Sequence, residues 1–212
     1  MRNLKNNNES GFTFLELLIS MTIIIILMGV VSLIFGRALG VKSRESSRTD
    51  ALTSAQAALN VMSREIANSG YGLADSTDTV HDNGIVLADS NSTKLRVRSN
   101  VVNNNTSTSD VGEDVTYYYD SDTLSIVRHD PAQNPSTTYL VNRISNVFFE
   151  YYNYTGSSST PTVTASPTVN TSRVKITVTV NLEKVQGQPN GQTITLTSDV
   201  TLRNSNYMMS QY

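Results

Sequence analysis

Phe12-Thr13-Phe14-Leu15-Glu16-Leu17-Leu18-Ile19-Ser20-Met21-Thr22-Ile23-Ile24-Ile25-Ile26-Leu27-Met28-Gly29-Val30-Val31-Ser32-Leu33-Ile34-Phe35 is the stretch on which the reading of this 212-residue chain turns. Eighteen of these 24 positions are apolar, against 38% for the chain as a whole. As a helix the run rises about 36 Å, enough to cross a hydrocarbon core of about 30 Å. Ile23 to Met28 leave no polar face, as expected of a helix surrounded by lipid or protein. A cleaved secretory signal fits poorly, because its apolar region is about 7–15 residues long and ends in an A-x-A-like site that is missing here.

One residue conflicts with a plain anchor. Glu16 lies inside the run, where an unpaired carboxylate costs roughly 2.5–3.5 kcal/mol near a bilayer centre. No Lys or Arg lies between Phe12 and Phe35 to pair with it. A cut between Gly11 and Phe12 would create an α-amine about one helical turn away, able to pair with Glu16 of the same or a neighbouring chain. Gly11 is small enough to sit in a protease cleft.

Ser10-Gly11-Phe12-Thr13-Phe14-Leu15-Glu16-Leu17-Leu18-Ile19 resembles the processing signal of type IV pilins and type II secretion pseudopilins. The resemblance implies that residues 1–11 form a leader removed on the cytoplasmic side by a prepilin peptidase. It implies N-methylation of Phe12, and Glu16 as the fifth mature residue, acting in subunit registration. The implied partners are other minor and major pilins and an assembly platform in the inner membrane. Arg37, Lys42, Arg44 and Arg48 follow the span, against Arg2, Lys5 and Glu9 before it. A positive-inside count therefore favours the opposite orientation. The resemblance, whose cleavage chemistry needs a cytoplasmic leader, places the globular part on the outer face of a bacterial membrane and then at the cell surface.

Working outward, Leu52, Ala55, Leu59, Met62 and Ile66 recur at helical spacing, with Arg48, Asp50, Arg64 and Glu65 expected to face water. Gly70 is placed to end the helix. The expected helix runs from Phe12 to Ser69, with Gly29, Gly36 and Gly40 as weak points, each costing about 1 kcal/mol relative to Ala. After Gly70 the period becomes two. Expected strands are Gly84–Ala88, Lys94–Arg98, Val115–Asp120, Leu124–Arg128, Thr138–Val141, Val147–Tyr154, Arg173–Leu182 and Gln192–Leu202. Gln188-Pro189-Asn190-Gly191 reads as the turn of an antiparallel hairpin joining the last two. Residues 99–114 and 155–172 read as Ser/Thr/Asn/Pro-rich connections.

Residues 57–72, ending Asn68-Ser69-Gly70-Tyr71-Gly72, look like the helix end of PilW-type minor pilins. Val147-Phe148-Phe149-Glu150-Tyr151-Tyr152 and Thr201-Leu202-Arg203-Asn204 also look like that group and the GspJ-type pseudopilins. The implied fold is α+β and pilin-like: a long N-terminal helix, membrane-spanning in its first half, packed on a C-terminal antiparallel sheet. The implied segments are the leader 1–11, a hydrophobic helix 12–36, its amphipathic continuation 37–69, and a β-rich domain 70–212.

The remaining composition narrows the function. Ser, Thr and Asn supply 27, 25 and 21 residues, charged residues are 16%, and net charge is −2. There is no basic footprint for nucleic acid. Without cysteine there is neither a disulfide framework nor a thiolate metal site. His81-Asp82 and His129-Asp130 are the only local hints of acid–base chemistry, and no nucleophile elbow, P-loop or H-E-x-x-H is present. No enzymatic activity, cofactor or metal is expected. Asp110, Glu113, Asp114, Asp120 and Asp122 match no calcium loop and read as solvated acids. The aromatic residues from Tyr117 to Tyr119 and from Phe148 to Tyr154 read as sheet packing. Asn153-Tyr154-Thr155 is a sequon only in a eukaryotic secretory route. The expected function is a minor pilin in type IV pilus assembly. The alternatives are a type II secretion pseudopilin, or a membrane-anchored binding module that never enters a filament.

Overall fold

A computed structural model describes residues 11–73, 83–102, 107–156, 159–182 and 191–211. The elements divide into two compact units, with the boundary between Glu45 and Ser46. Helix α1 (Phe14–Ala67) contributes to both.

In the first unit α1 is helix without a core of its own. Every residue from Phe14 to Leu39 is exposed, and α1 passes through Gly29, Gly36 and Gly40 unbroken. An 18-residue window here has mean hydropathy 2.9, and the helix is long and apolar enough to cross a membrane.

The second unit begins with the amphipathic part of α1 and continues into two four-stranded antiparallel sheets. Sheet 1 is a meander of β1 (Lys94–Arg98), β2 (Asp114–Asp120), β3 (Ser125–His129) and β4 (Thr137–Val141). Sheet 2 is built from β5 (Ile144–Asn153), β6 (Thr162–Thr164), β7 (Thr171–Asn181) and β8 (Thr193–Thr201), in the order β6-β5-β7-β8. A short helix α2 (Asn206–Met209) follows. The α+β class therefore holds, with two sheets where one was expected.

Alternation builds the core. In β7, Val174, Ile176, Val178 and Val180 are buried, while Arg173, Lys175, Thr177 and Thr179 are half-buried on the other face. They meet Val147, Phe149 and Tyr151 of β5, Leu95, Val97, Val115, Tyr117 and Ile126 of sheet 1, and the helix stripe. That stripe is Ala51, Ala55, Ala58, Leu59, Met62 and Ile66. Leu52 is only half-buried, so the expected stripe is corrected: Ala51 replaces it at that end, and Ala58 joins further along. On the far face of sheet 2, Lys175 pairs with Glu150 at 2.9 Å, and the Arg173 guanidinium lies 4.0 Å from the Tyr152 ring centre. Tyr154 stacks on Tyr207 of α2 at 4.3 Å.

Glu65 departs from its expected solvent role. Its carboxylate accepts hydrogen bonds from Arg128 Nε, the nearer at 3.0 Å, and from the Tyr117 hydroxyl. Tyr117 and Arg128 face each other across β2 and β3, so both grip the helix from one place in sheet 1. Arg128 Nη1 also reaches Asp130 at 3.2 Å and Gln133 at 2.9 Å.

Other boundaries shift for local reasons. Residues 84–88 make a single bridge, Ile85 to Val97, and then a 3₁₀ turn, Leu87–Asp89. Leu124 has φ 51°, so it belongs to the turn before β3. The 155–172 connection contains β6, and Thr171 and Ser172 open β7. Gln188 to Asn190 lie outside the described residues, but the β7–β8 register from Arg173/Thr201 to Asn181/Thr193 is antiparallel throughout.

The helix ends at Ala67, and its end is closed from three directions. Gly70 donates to the Arg98 carbonyl at 2.9 Å, Ser69 Oγ to the Asn83 carbonyl at 2.7 Å, and Asn204 Nδ2 to the Ser69 carbonyl at 2.9 Å. Gly84 sits at φ +71°, where an added Cβ would stand 2.0 Å from Gly70 N and 2.5 Å from the Arg98 carbonyl oxygen. Both neighbours are backbone and cannot rotate away. Gly84→Ala is expected to cost about 3 kcal/mol or more, read as a lower urea midpoint for the full chain in micelles.

Asp114 contributes to acid stability. Burial raises its carboxyl pKa, but hydrogen bonds and charge from Arg96, with Arg98 adding to them, outweigh this and hold it below its usual 3.8. A depressed folded pKa means the contribution is present above 3.8 and is lost as pH falls through the folded value. Asp114→Asn is expected to lower the melting temperature at pH 6 and to flatten its decline below pH 4.

Candidate functional site

The chain from Gly11 to Thr13 is non-helical and exposed, and nothing lies within 4 Å of a Cβ built on Gly11. Phe12 is 80% exposed. The Gly11–Phe12 bond thus lies in an open, non-helical segment that a protease cleft could reach.

The helix starts immediately after it, for a reason visible in the hydrogen bonds. The Thr13 carbonyl accepts the first helical bond from Leu17 N at 3.2 Å, which makes Thr13 the N-cap. Its hydroxyl accepts from Glu16 N at 3.3 Å, while Glu16 Oε2 accepts from Thr13 N at 3.3 Å and from the Thr13 hydroxyl at 3.2 Å. This reciprocal arrangement is a capping box, and it satisfies two otherwise orphaned backbone donors. The carboxylate also faces the positive end of the helix dipole. Within a single chain, then, Glu16 has partners that the sequence reading did not assign. The missed signal was local: Thr13-x-x-Glu16 ahead of an apolar run is the capping-box pattern. Beyond it, Ser20 and Thr22 return their hydroxyls to the carbonyls of Leu17 and Ile19 at 2.9 and 2.8 Å. The polar atoms of this stretch are therefore internally bonded, while Leu, Ile, Met and Phe side chains project outward.

The other sequence candidates are taken up by the fold. His81 and Asp82 lie outside the described residues. Asp130 is fully buried and its carboxylate accepts from Gly112 N at 2.8 Å, Ala132 N at 3.1 Å and Arg128. His129, on the neighbouring face, has Nδ1 3.4 Å from Thr137 Oγ1. Glu113 is buried and accepts from Val102 N and Asp110 N, both at 3.1 Å. Asp114 is held by two arginines, and Asp120 closes its own turn onto Asp122 N and Thr123. Among the described residues no three His, Asp or Glu side chains gather as a metal site. Asn153 is 5% exposed; its amide donates to Thr164 Oγ1 at 2.8 Å and accepts from Thr171 Oγ1 at 2.5 Å, so it fastens β5, β6 and β7 together. Tyr117, Phe149 and Tyr151 are fully buried in the core.

Residues 6–32 match the prokaryotic N-terminal methylation motif. None of the curated proteins and none of the solved structures matches the chain. The motif supports a type IV pilin-like or pseudopilin-like precursor, and proteins carrying it are generally structural. It implies processing by a prepilin peptidase and assembly with other pilins, and with the apolar helix it fits a precursor anchored in the inner membrane.

Removal of the cap has a local signature. Thr13→Val is expected to cost about 1 kcal/mol at the helix start. Amide exchange at Leu15 to Leu17 should then speed up about fivefold in micelles, with exchange in β7 unchanged.

Proposed function

We propose that this chain is a PilW-like minor pilin that takes part in starting or assembling a type IV pilus. The methylation motif, set directly before an exposed apolar helix, carries the reading. In this reading residues 1–11 hold the precursor at the cytoplasmic face until the peptidase cuts between Gly11 and Phe12. Phe12 is then methylated on its new amine. Residues 12–36 form the membrane and filament-core helix, residues 37–69 its continuation, and residues 70–212 the β-rich part exposed at the cell surface.

Glu16 acts twice. Before assembly its carboxylate is served by the Thr13 amide and hydroxyl, which lowers the cost of carrying an acid into lipid. In the filament it registers against the freed amine of Phe12 on an adjacent subunit, because a charge pair in an apolar core is far stronger than one in water. The major and minor pilins are the lateral partners, and the assembly platform receives the processed subunit from the membrane.

Intact mass and N-terminal sequencing of protein from native membranes test the reading. The expected species lacks residues 1–11 and carries one methyl group on Phe12. A chain still starting at Met1, in cells with active prepilin peptidase, would sink it. Glu16→Ala is expected to be cleaved and membrane-inserted normally, yet to appear in sheared filaments at a tenth or less of the wild-type level, by about the factor that 1.4 kcal/mol of lost pairing gives.

A further inference from the structure

Sheet 1 turns most of its apolar residues toward the core and so leaves a second face, on which Val127 lies opposite Tyr118 and is itself buried. Leu95, Val97, Val115, Tyr117 and Ile126 point inward, and alternation sends Lys94, Arg96, Thr116, Tyr118 and His129 outward. Register places Arg96, Thr116 and His129 in one row across three strands, with Lys94 and Tyr118 in the next. Together with Asp89 these side chains line an open cleft of about 540 Å³.

The cleft is built on a fixed support. Arg96 binds Asp114 with two parallel hydrogen bonds, 2.8 and 2.7 Å, and its remaining amine reaches Asp89 at 2.5 Å. Arg98 holds the same Asp114 at 3.0 Å. A fork engaged on both carboxylates has little rotamer freedom left to lose on binding.

Around this support the polar groups are uncommitted. The Thr116 side chain is largely covered, and its hydroxyl has no hydrogen-bond partner among the described residues. The Lys94 ammonium, the Tyr118 hydroxyl and His129 Nε2 line the same cleft and also have no partner among the described residues. A hydroxyl open to a cleft is completed by water or by a ligand.

Charge selects among ligands. The lining has two cations, Lys94 and Arg96, and two anions, Asp89 and Asp114, so its net charge is zero and favours neither a polyanion nor a cation. What remains is a half-buried aromatic ring beside several fixed or free hydrogen-bonding groups of both kinds. That set matches a sugar ring, whose C–H face lies on an aromatic side chain while its hydroxyls both donate and accept. We propose that the outer face of sheet 1 is a binding site for neutral carbohydrate, with Tyr118 as the stacking platform and Thr116, Lys94 and His129 as hydroxyl partners. The site is independent of the assembly reading, since it uses no residue of α1.

The test uses the full chain in a phosphocholine micelle, because a maltoside detergent would itself offer sugar. Binding to an array of neutral and sialylated oligosaccharides is measured first, followed by saturation-transfer NMR with the best neutral hit. The expected result is binding of a neutral glycan, weakened about tenfold by Tyr118→Ala and retained by Tyr118→Phe. Thr116→Val and Lys94→Ala should each weaken it while near-ultraviolet dichroism stays that of wild type. Failure of every neutral glycan to bind, binding confined to sialylated glycans, or binding indifferent to all of these variants would overturn the proposal. None of these outcomes bears on the cleavage at Gly11–Phe12.

Discussion

Arg128 reaching Glu65 is the contact on which the β-rich unit depends. The apolar stripe of α1 tells the helix which side to bury but holds its rotation only loosely, because alanines make up half of it. The Arg128 Nε shared between both oxygens of the Glu65 carboxylate, with the Tyr117 hydroxyl donating to it as well, narrows that rotation. The arrangement is half-buried, so the cost of desolvating the charges is met by several hydrogen bonds. Burial, reinforced by the Glu65 charge, pushes the Tyr117 phenol well above its usual range and keeps it a donor at any physiological pH. Arg128 in turn fixes Asp130 and Gln133, and thereby the turn that leads into β4.

Much of this could be read from the sequence where a pattern is long. The expected Lys94–Arg98 strand coincides with β1, and the expected Arg173–Leu182 strand is one residue from the end of β7, because strict alternation over five or more residues has few other solutions. Thr162-Val163-Thr164 is too short and too polar to show a period, so β6 read as loop. Ala51 and Ala58 are buried where the larger Leu52 is not, because close approach of helix to sheet favours small side chains. Glu65 read as surface because its partners lie 52 and 63 positions away in the chain. A pairing of that kind follows from topology and leaves no local trace.

At the candidate site the division is different. Glu16 and a cut at Gly11–Phe12 follow from the unpaired acid in the apolar run, and methylation of Phe12 from a resemblance; the proposed roles belong to cellular chemistry that a single folded chain does not contain. What the structure adds is the state of the acid before any partner arrives. Thr13 and Glu16 satisfy one another across one helical turn, so an isolated subunit carries no bare carboxylate into its apolar surroundings. The two units thus meet opposite demands. Residues 14–39 expose apolar side chains and require an apolar solvent, whereas the sheets cover their outer faces with threonine, serine and a few paired charges.

The closure of α1 sets an order of events. Asn204 and Arg203 bond to the last carbonyls of the helix from 135 or more positions further along the chain. Those carbonyls have no helical partner of their own and wait for them. In a chain synthesised from its N-terminus, the helix comes first and the stretch after β8 among the last. The amphipathic half of α1 therefore stays open-ended until nearly all of the second unit exists. A chain halted or clipped before the end of β8 would carry a helix whose last carbonyls lack these donors.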